Sequence, residues 1–325
     1  MSASPHLRSP RYWPAWLLIG FLWLLAQLPW GLQRRIGAGI GWLLYRLLGQ
    51  RVDDTRINLR LCFPEKTEAE REALVRDVFR NGGIALFETV NAWFLPPEYY
   101  RDKTTVEGLE HYQAAEAQGR GLLLLGAHYT TLDLNGTLTS SLIKVDMVYR
   151  PQKNPVINHV MTSARSGNQG NIISHRDMRQ LLRAFKEKRN VWYAPDQDYG
   201  AAHAVFAPFF GVPAATLNTA SRFPRINNAP VLFLAVQRDG DAERYRICFT
   251  PVLKNFPSDD DLADATRVNA ELEKLIRRAP TQYMWFHRRF KTQPPGQKPP
   301  YPPKPKEVRR QKAAEAAARE AQKST

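Results

Sequence analysis

Along the 325-residue chain, short wholly apolar runs alternate with longer stretches whose apolar positions recur every three or four residues. "GLLLLGA" (121–127), "VDMVYR" (145–150), "NVWYAPD" (190–196), "APVLFLAV" (229–236) and "RYRICFT" (244–250) read as strands. "RDMRQLLRAFKEK" (176–188) and "ADATRVNAELEKLIRR" (263–278) read as amphipathic helices. Strands apolar on both faces suit a sheet covered on both sides. The pattern therefore predicts an α/β fold, a central mostly parallel sheet flanked by helices. Ahead of it, "TEAE" (Thr67–Glu70) has the form of a capping box. The helix it opens should stop near the glycines at 82–83, with "IALFETVNAWF" as a second helix ended by Pro96 and Pro97.

Composition divides the chain into four parts: a leader (1–12), an uncharged apolar segment (13–32), a folded unit (33–290) and a tail (291–325). The tail is Pro/Lys-rich, then Ala/Glu/Lys-rich, and is expected to be extended or disordered. The segment "WPAWLLIGFLWLLAQLPWGL" is 20 residues long, enough to span a bilayer, with Trp13, Trp16 and Trp30 near its ends. It predicts an N-terminal membrane-anchoring helix. A cleaved signal peptide and an interfacial helix interrupted by Pro14 and Pro29 are the alternatives. Arg34, Arg35, Arg46 and Arg51 follow the segment, against Arg8 and Arg11 before it, which places the bulk of the chain on the cytoplasmic side. "IGAGIGWLLYRLLGQR" then reads as a helix along the bilayer surface or an ordinary core helix.

Charge narrows the partners. Lys+Arg number 46 against 31 Asp+Glu, a net +15, which favours anionic ones: nucleic acid, lipid headgroups, phosphorylated substrates or an acidic carrier protein. No nucleic-acid motif appears, so nucleic acid is not expected. The two cysteines, Cys62 and Cys248, have no CxxC spacing and fit a reducing compartment. The seven histidines show no zinc spacing, so neither metal nor cofactor is expected.

The chemistry concentrates in "GAHYTTLDL" (126–134), where His128 follows a leucine run and Asp133 stands five positions on. Five residues turn a helix by about 140°, so the two do not share a helical face. They meet only if His128 lies on the loop leaving a strand and Asp133 one turn into the next helix. Such a pair makes a base, the carboxylate orienting the imidazole. The plainer reading is a strand-end histidine and a helix-capping aspartate. "YAPDQDYG" (193–200) ends another strand with Asp196 and Asp198, and strand ends of an open α/β sheet are where sites assemble. "SARSGNQG" (163–170) offers Arg165 in a glycine-flanked, irregular segment, while Arg176–Asp177 reads as a surface or capping pair.

These blocks, with "INLRLCFP" (57–64), "VYRPQKNP" (148–155) and "APTQYMWFHRRFKTQPPG" (279–296), resemble the late acyltransferases of lipid A assembly, within the glycerolipid acyltransferase superfamily. The likeness runs over residues 15–296, and a second basic residue usual behind the arginine is missing from "RSGN". The resemblance implies a glycerolipid-acyltransferase-like fold and transfer of a fatty acyl chain, laurate or similar, from acyl carrier protein. The acceptor would be a hydroxyl on a 3-hydroxyacyl chain of an anionic, Kdo-bearing lipid A precursor, met at the cytoplasmic face of the bacterial inner membrane. It implies His128 as base, Asp133 as its partner and no covalent acyl-enzyme. Arg165 would be the oxyanion donor and Asp196 a support of the site. Separately, the charge of "HRRFK" (287–291) suits Arg288 and Arg289 to phosphate contacts, or else to a positively charged surface strand or turn. Acylation of a lysophospholipid, and a membrane-tethered binder of anionic lipid or nucleic acid, are the alternatives. A "PEGTR"-like block of the phospholipid branch is absent, "APDQDYG" standing in its neighbourhood.

Overall fold

A computed structural model describes residues 5–168 and 170–303. Four helices open the chain: α1 (Trp13–Ala26), α2 (Trp30–Leu47), α3 (Gly49–Cys62) and α4 (Glu68–Phe94). Then come β1 (Thr104–Glu107), α5 (Leu109–Glu116), β2 (Leu123–Leu125), α6 (Leu132–Thr139), β3 (Asp146–Tyr149) and α7 (Pro155–Asn168). After them lie β4 (Ile172–Ser174), α8 (Met178–Lys186), β5 (Val191–Tyr193) and the hairpin β6 (Ala204–Phe209) and β7 (Val212–Leu217). The chain finishes with α9 (Thr219–Arg222), β8 (Val231–Arg238), β9 (Tyr245–Phe249) and α10 (Asp261–Arg278).

Seven strands form one sheet in the order β1-β9-β8-β2-β5-β3-β4. Only β8–β9 pairs antiparallel; the other pairings are parallel. The expected α/β sheet is thus present; β2, β3, β5 and β9 fall inside their predicted runs, and β8 continues two residues past its run, to Arg238. Alternate side chains go to opposite faces, as the period of a strand requires. Leu123, Leu125, Val191 and Phe233 pack with α3, α4, α8 and α10, while Leu122, Leu124, Trp192 and Leu232 pack with α5 and α6.

The expected anchor helix over 13–32 is not formed as one element. α1 stops at Ala26, because Pro29 lacks the N–H a continuing helix needs and disfavours helical backbone in the residue before it. Buried Gln33 then fixes the bend. Its amide donates to the carbonyls of Leu25, Ala26 and Leu28, and its oxygen accepts from Asn91 at 2.8 Å. One side chain thus serves three carbonyls at and just past the end of α1, where helical partners run out. Among the described residues, no helix is long and apolar enough to cross a membrane. α1 instead packs on α4 and α7, with Ile19 buried beside Val156 and Val160. Its outer face, and that of α2, leaves Leu17, Phe21, Leu24, Trp42 and Leu47 exposed.

The Thr67 capping box is present, but α4 runs unbroken through Gly82 and Gly83. The reason is contact with α2. A Cβ at Gly83 would lie 2.1 Å from the Gly37 carbonyl oxygen, and one at Gly41 would lie 2.3 Å from that of Phe79. Glycine here permits two helix backbones to touch, rather than ending one of them.

At the other end, the tail is not free from residue 291 onward. Tyr301 is buried, its hydroxyl donating to Asn58 and accepting the Phe290 N–H at 3.0 Å. The rest of the expected disordered tail, 304–325, lies outside the described residues.

Candidate active site

The site starts from strand register. β2 and β5 are parallel neighbours with Leu125 opposite Tyr193. His128 and Asp196 each lie three residues past the end of their strand, so equal offsets bring them side by side at the carboxyl edge of the sheet. Asp196 grips the histidine twice. One carboxylate oxygen is 2.6 Å from the His128 Nδ1 and the other accepts its backbone N–H at 2.9 Å. Gly126 makes room for the turn, since a Cβ there would lie 2.7 Å from the Trp192 indole nitrogen.

Electrostatics reinforce the pair. Burial opposes ionisation of Asp196, yet the neighbouring imidazole and the hydrogen bonds from His128 and the Tyr283 hydroxyl pull its pKa down to about 2. As an ionised carboxylate it can only accept, so Nδ1 carries the proton and donates. For His128, burial disfavours the imidazolium, but the Asp196 charge and hydrogen bond outweigh it and raise the pKa above 6.5. The remaining ring nitrogen, Nε2, is left to accept a proton. Such an arrangement can serve as a base, with a buried carboxylate to orient it.

Asp133, expected as that carboxylate, is engaged elsewhere. It lies in the first turn of α6, one turn past the histidine loop as its spacing demanded. There Arg165 reaches it at 2.5 Å, and the Thr89 hydroxyl stands 3.5 Å from its other oxygen. Arg165 itself lies on α7, not in an irregular segment. Two carboxylates thus serve two partners: Asp196 holds the imidazole, and Asp133 ties a guanidinium to the helix that follows it.

The "QYMWFHRRFK" block braces this loop from behind. The Met284 N–H donates to the His128 carbonyl at 2.9 Å, and the Thr130 N–H to the Gln282 carbonyl at 2.7 Å. The block also places His287 beside His128, ring centroids 6.0 Å apart. The Gln197 side-chain nitrogen is 3.1 Å from the His287 Nε2. Burial, then the adjacent His128, push the His287 pKa down to about 4, so the second imidazole is neutral at neutral pH. Nothing in the spacing of His287 announces it; only the pairing of Tyr129 with Tyr283 brings it in.

Arg288 and Arg289 do not face outward as phosphate contacts. Arg288 pairs with buried Asp54 through its Nε at 2.9 Å. Arg289 is only 2% exposed and donates to the Ala215 carbonyl and the Thr216 hydroxyl. A guanidinium this deep is costly to bury, and its two terminal nitrogens are both spent on local acceptors. Asp198 is structural too, accepting from the N–H groups of Gly200 and Thr292. Asp177 caps α8, accepting the Gln180 N–H at 2.9 Å. Burial raises the thiol pKa of both Cys62 and Cys248, which makes poor nucleophiles of them. Among the described residues, no group of three or more His, Cys, Asp or Glu side chains is placed to hold a metal.

A strand-end histidine held by a buried aspartate is an arrangement that suits base-catalysed transfer or hydrolysis. The family described as bacterial lipid A biosynthesis acyltransferase matches residues 1–292, and the chain belongs to that family. It is an acyltransferase. The lipid A biosynthesis palmitoleoyltransferase of Escherichia coli (strain K12) is 39% identical over 90% of this chain and 96% of its own. The lauroyltransferase of the same organism is also 39% identical, with the same coverage, and the myristoyltransferase 30% over 90% and 92%. Among solved structures, the 1-acyl-sn-glycerophosphate acyltransferase PlsC of Thermotoga maritima aligns at 12% identity over 76% of this chain and 95% of that one. Its TM-score is 0.35, too distant to bear on the chemistry.

Proposed function

We propose that the protein transfers a fatty acyl chain, laurate or one of similar length, from acyl carrier protein to a hydroxyl of a 3-hydroxyacyl chain on a Kdo-bearing lipid A precursor. The observation that carries this is the His128–Asp196 pair at the carboxyl edge of the sheet, with Nε2 unpaired among the described residues. His128 takes the proton of the acceptor hydroxyl through Nε2, and Asp196 stabilises the imidazolium. The alkoxide attacks the thioester carbonyl directly, forming a tetrahedral oxyanion. Arg165, fixed by Asp133, is the donor to that oxyanion. Collapse expels the thiolate, which recovers the proton from His128, leaving an ester and a free carrier thiol. Two buried cysteines with raised pKa values agree with the absence of an acyl-enzyme.

The same reading seats the protein on the cytoplasmic face of the inner membrane through the exposed apolar faces of α1 and α2, lying in the plane of the bilayer. The test offers lauroyl-acyl carrier protein with a lipid A precursor or with a lysophospholipid. Wild type should acylate the precursor, and His128→Ala should lose about 10²–10⁴ in kcat, the range a general base supplies. Full activity in His128→Ala overturns the mechanism. Transfer only to the lysophospholipid reassigns the acceptor.

A further inference from the structure

We propose that the outward face of α8 docks the acidic carrier protein that delivers the acyl thioester; this rests on the acyl-transfer reading above. α8 buries Leu181, Ala184 and Phe185 in the core. Its other face is cationic: Arg179, Arg183 and Lys186 are exposed, with Arg176 just ahead of the helix. Successive residues turn about 100°, which puts Met178, Leu182, Lys186, Arg179 and Arg183 on one arc of about 140°. Met178 and Leu182, 47% and 36% exposed, line its apolar margin.

Unpaired cations occur elsewhere, at Arg35, Arg60 and Lys153 among others, but at α8 four of them fall on one short helix and its lead-in, whereas many arginines are spoken for. Arg56, Arg80 and Arg278 each meet a carboxylate, at 2.8, 2.7 and 2.6 Å. Among the described residues, the side chains of Arg176, Arg179, Arg183 and Lys186 have no ion pair or hydrogen bond. Arg179 and Arg183 are four apart and Lys186 three further on, spacings at which like charges repel along a helix. Among the described residues Asp177 forms no ion pair with them, its carboxylate accepting the Gln180 N–H. A partner carrying acidic side chains would convert this repulsion into steering and attraction.

Position links the face to the reaction. β4, β3, β5 and β2 run parallel, so the end of β4 lies on the same sheet edge as His128. The His175 N–H donates to the Tyr149 carbonyl at 2.8 Å, fixing the chain there just before α8 begins. β4 stands three places from β2, or about 14 Å along the edge. That span suits a thioester on a flexible prosthetic arm, with the carrier body seated on α8.

A bilayer fits this face less well. Interfacial seating needs bulky apolar side chains, which α1 and α2 supply as Trp, Phe and Leu. On α8 the cations dominate and only two moderate apolar residues are offered. An acidic helix with apolar positions at matching spacing is the better complement.

The test is the triple charge reversal Arg179→Glu/Arg183→Glu/Lys186→Glu in the full chain, with circular dichroism to confirm the fold. Rates are measured with lauroyl-acyl carrier protein and with lauroyl-pantetheine, which lacks the carrier body. The expected loss of kcat/KM on the carrier thioester exceeds that on lauroyl-pantetheine at least tenfold, mainly through KM. The salt dependence of the wild-type KM should flatten in the variant. Equal losses on both donors, or unchanged KM for the carrier thioester, overturn the docking site. So does a variant whose main defect is binding to anionic phosphatidylglycerol vesicles. If the variant does not fold, Arg179→Ala/Arg183→Ala is judged by the same ratio. A wild type that transfers from neither donor refutes the acyl-transfer reading itself, a result distinct from all of these.

Discussion

At the scale of single residues, the two carboxylates near His128 separate by pH. Asp196 raises the His128 pKa against the opposing effect of burial. A base works unprotonated, so activity rises with pH through that raised value. Asp196→Asn keeps the shape and removes the charge, leaving burial to lower the pKa. The ascending limb of kcat/KM should therefore move to lower pH, while kcat falls about 10²–10⁴-fold as the imidazole loses its orientation. Asp133→Asn changes the contacts to Arg165 and Thr89, not to His128, and its ascending limb should stay in place. A limb that shifts in Asp133→Asn and not in Asp196→Asn would reverse the two roles. Arg165→Ala should cost about 10²–10³ in kcat, as loss of one oxyanion donor does, and a KM effect alone would make it a binding residue.

At the scale of elements, two adjacent glycines of α4 should respond in opposite directions. Gly82 has nothing within 4 Å of an added Cβ, so Gly82→Ala should stabilise the helix by about 0.8–1 kcal/mol. Gly83→Ala drives a methyl into the backbone of α2 at Gly37 and Gly41 and should destabilise by about 1–3 kcal/mol or more. Thermal or denaturant unfolding of the two variants checks the sign. The same pair shows what is legible in the sequence. Apolar runs revealed β2, β3, β5, β8 and β9, because burial on both faces leaves no other pattern, and Thr67–Glu70 revealed its cap. "NGG" looked like a stop, because a glycine that ends a helix and one that lets a second helix touch it are the same residue. The hairpin β6–β7 went unpredicted, with Pro208 facing Pro213 in its pairing. At the site, His128 and the helix position of Asp133 follow from local spacing. The Asp196 partnership depends on which strands are neighbours, and His287 on a bridge spanning 154 residues. Both are non-local, and local pattern carries no record of them.

At the scale of the whole molecule, the in-plane seating proposed above turns on the broken N-terminal segment. A spanning helix would put the leader on the far side, whereas α1 and α2 folded onto α4 would, in that seating, keep it on the same side as the sheet. Their outer residues have no packing role: Leu17, Phe21 and Leu24 are 75%, 56% and 58% exposed. Fully burying each Leu or Phe in an apolar medium is worth about 1.5–3 kcal/mol. Three such side chains therefore outweigh the surface electrostatics of the neighbouring arginines, which 1 M salt screens to about 3 Å. Wild-type protein should stay with membranes in 1 M salt and leave in detergent. Leu17→Asp/Phe21→Asp/Leu24→Asp should pass to the soluble fraction with its unfolding temperature little changed. The sidedness is read by a His6→Cys variant, whose new thiol lies on an exposed residue while Cys62 and Cys248 are buried. A membrane-impermeant maleimide supplied from the periplasmic side of intact cells should leave it unlabelled and label it in inverted vesicles. Labelling in intact cells would show the leader has crossed, and the in-plane seating would fall with it.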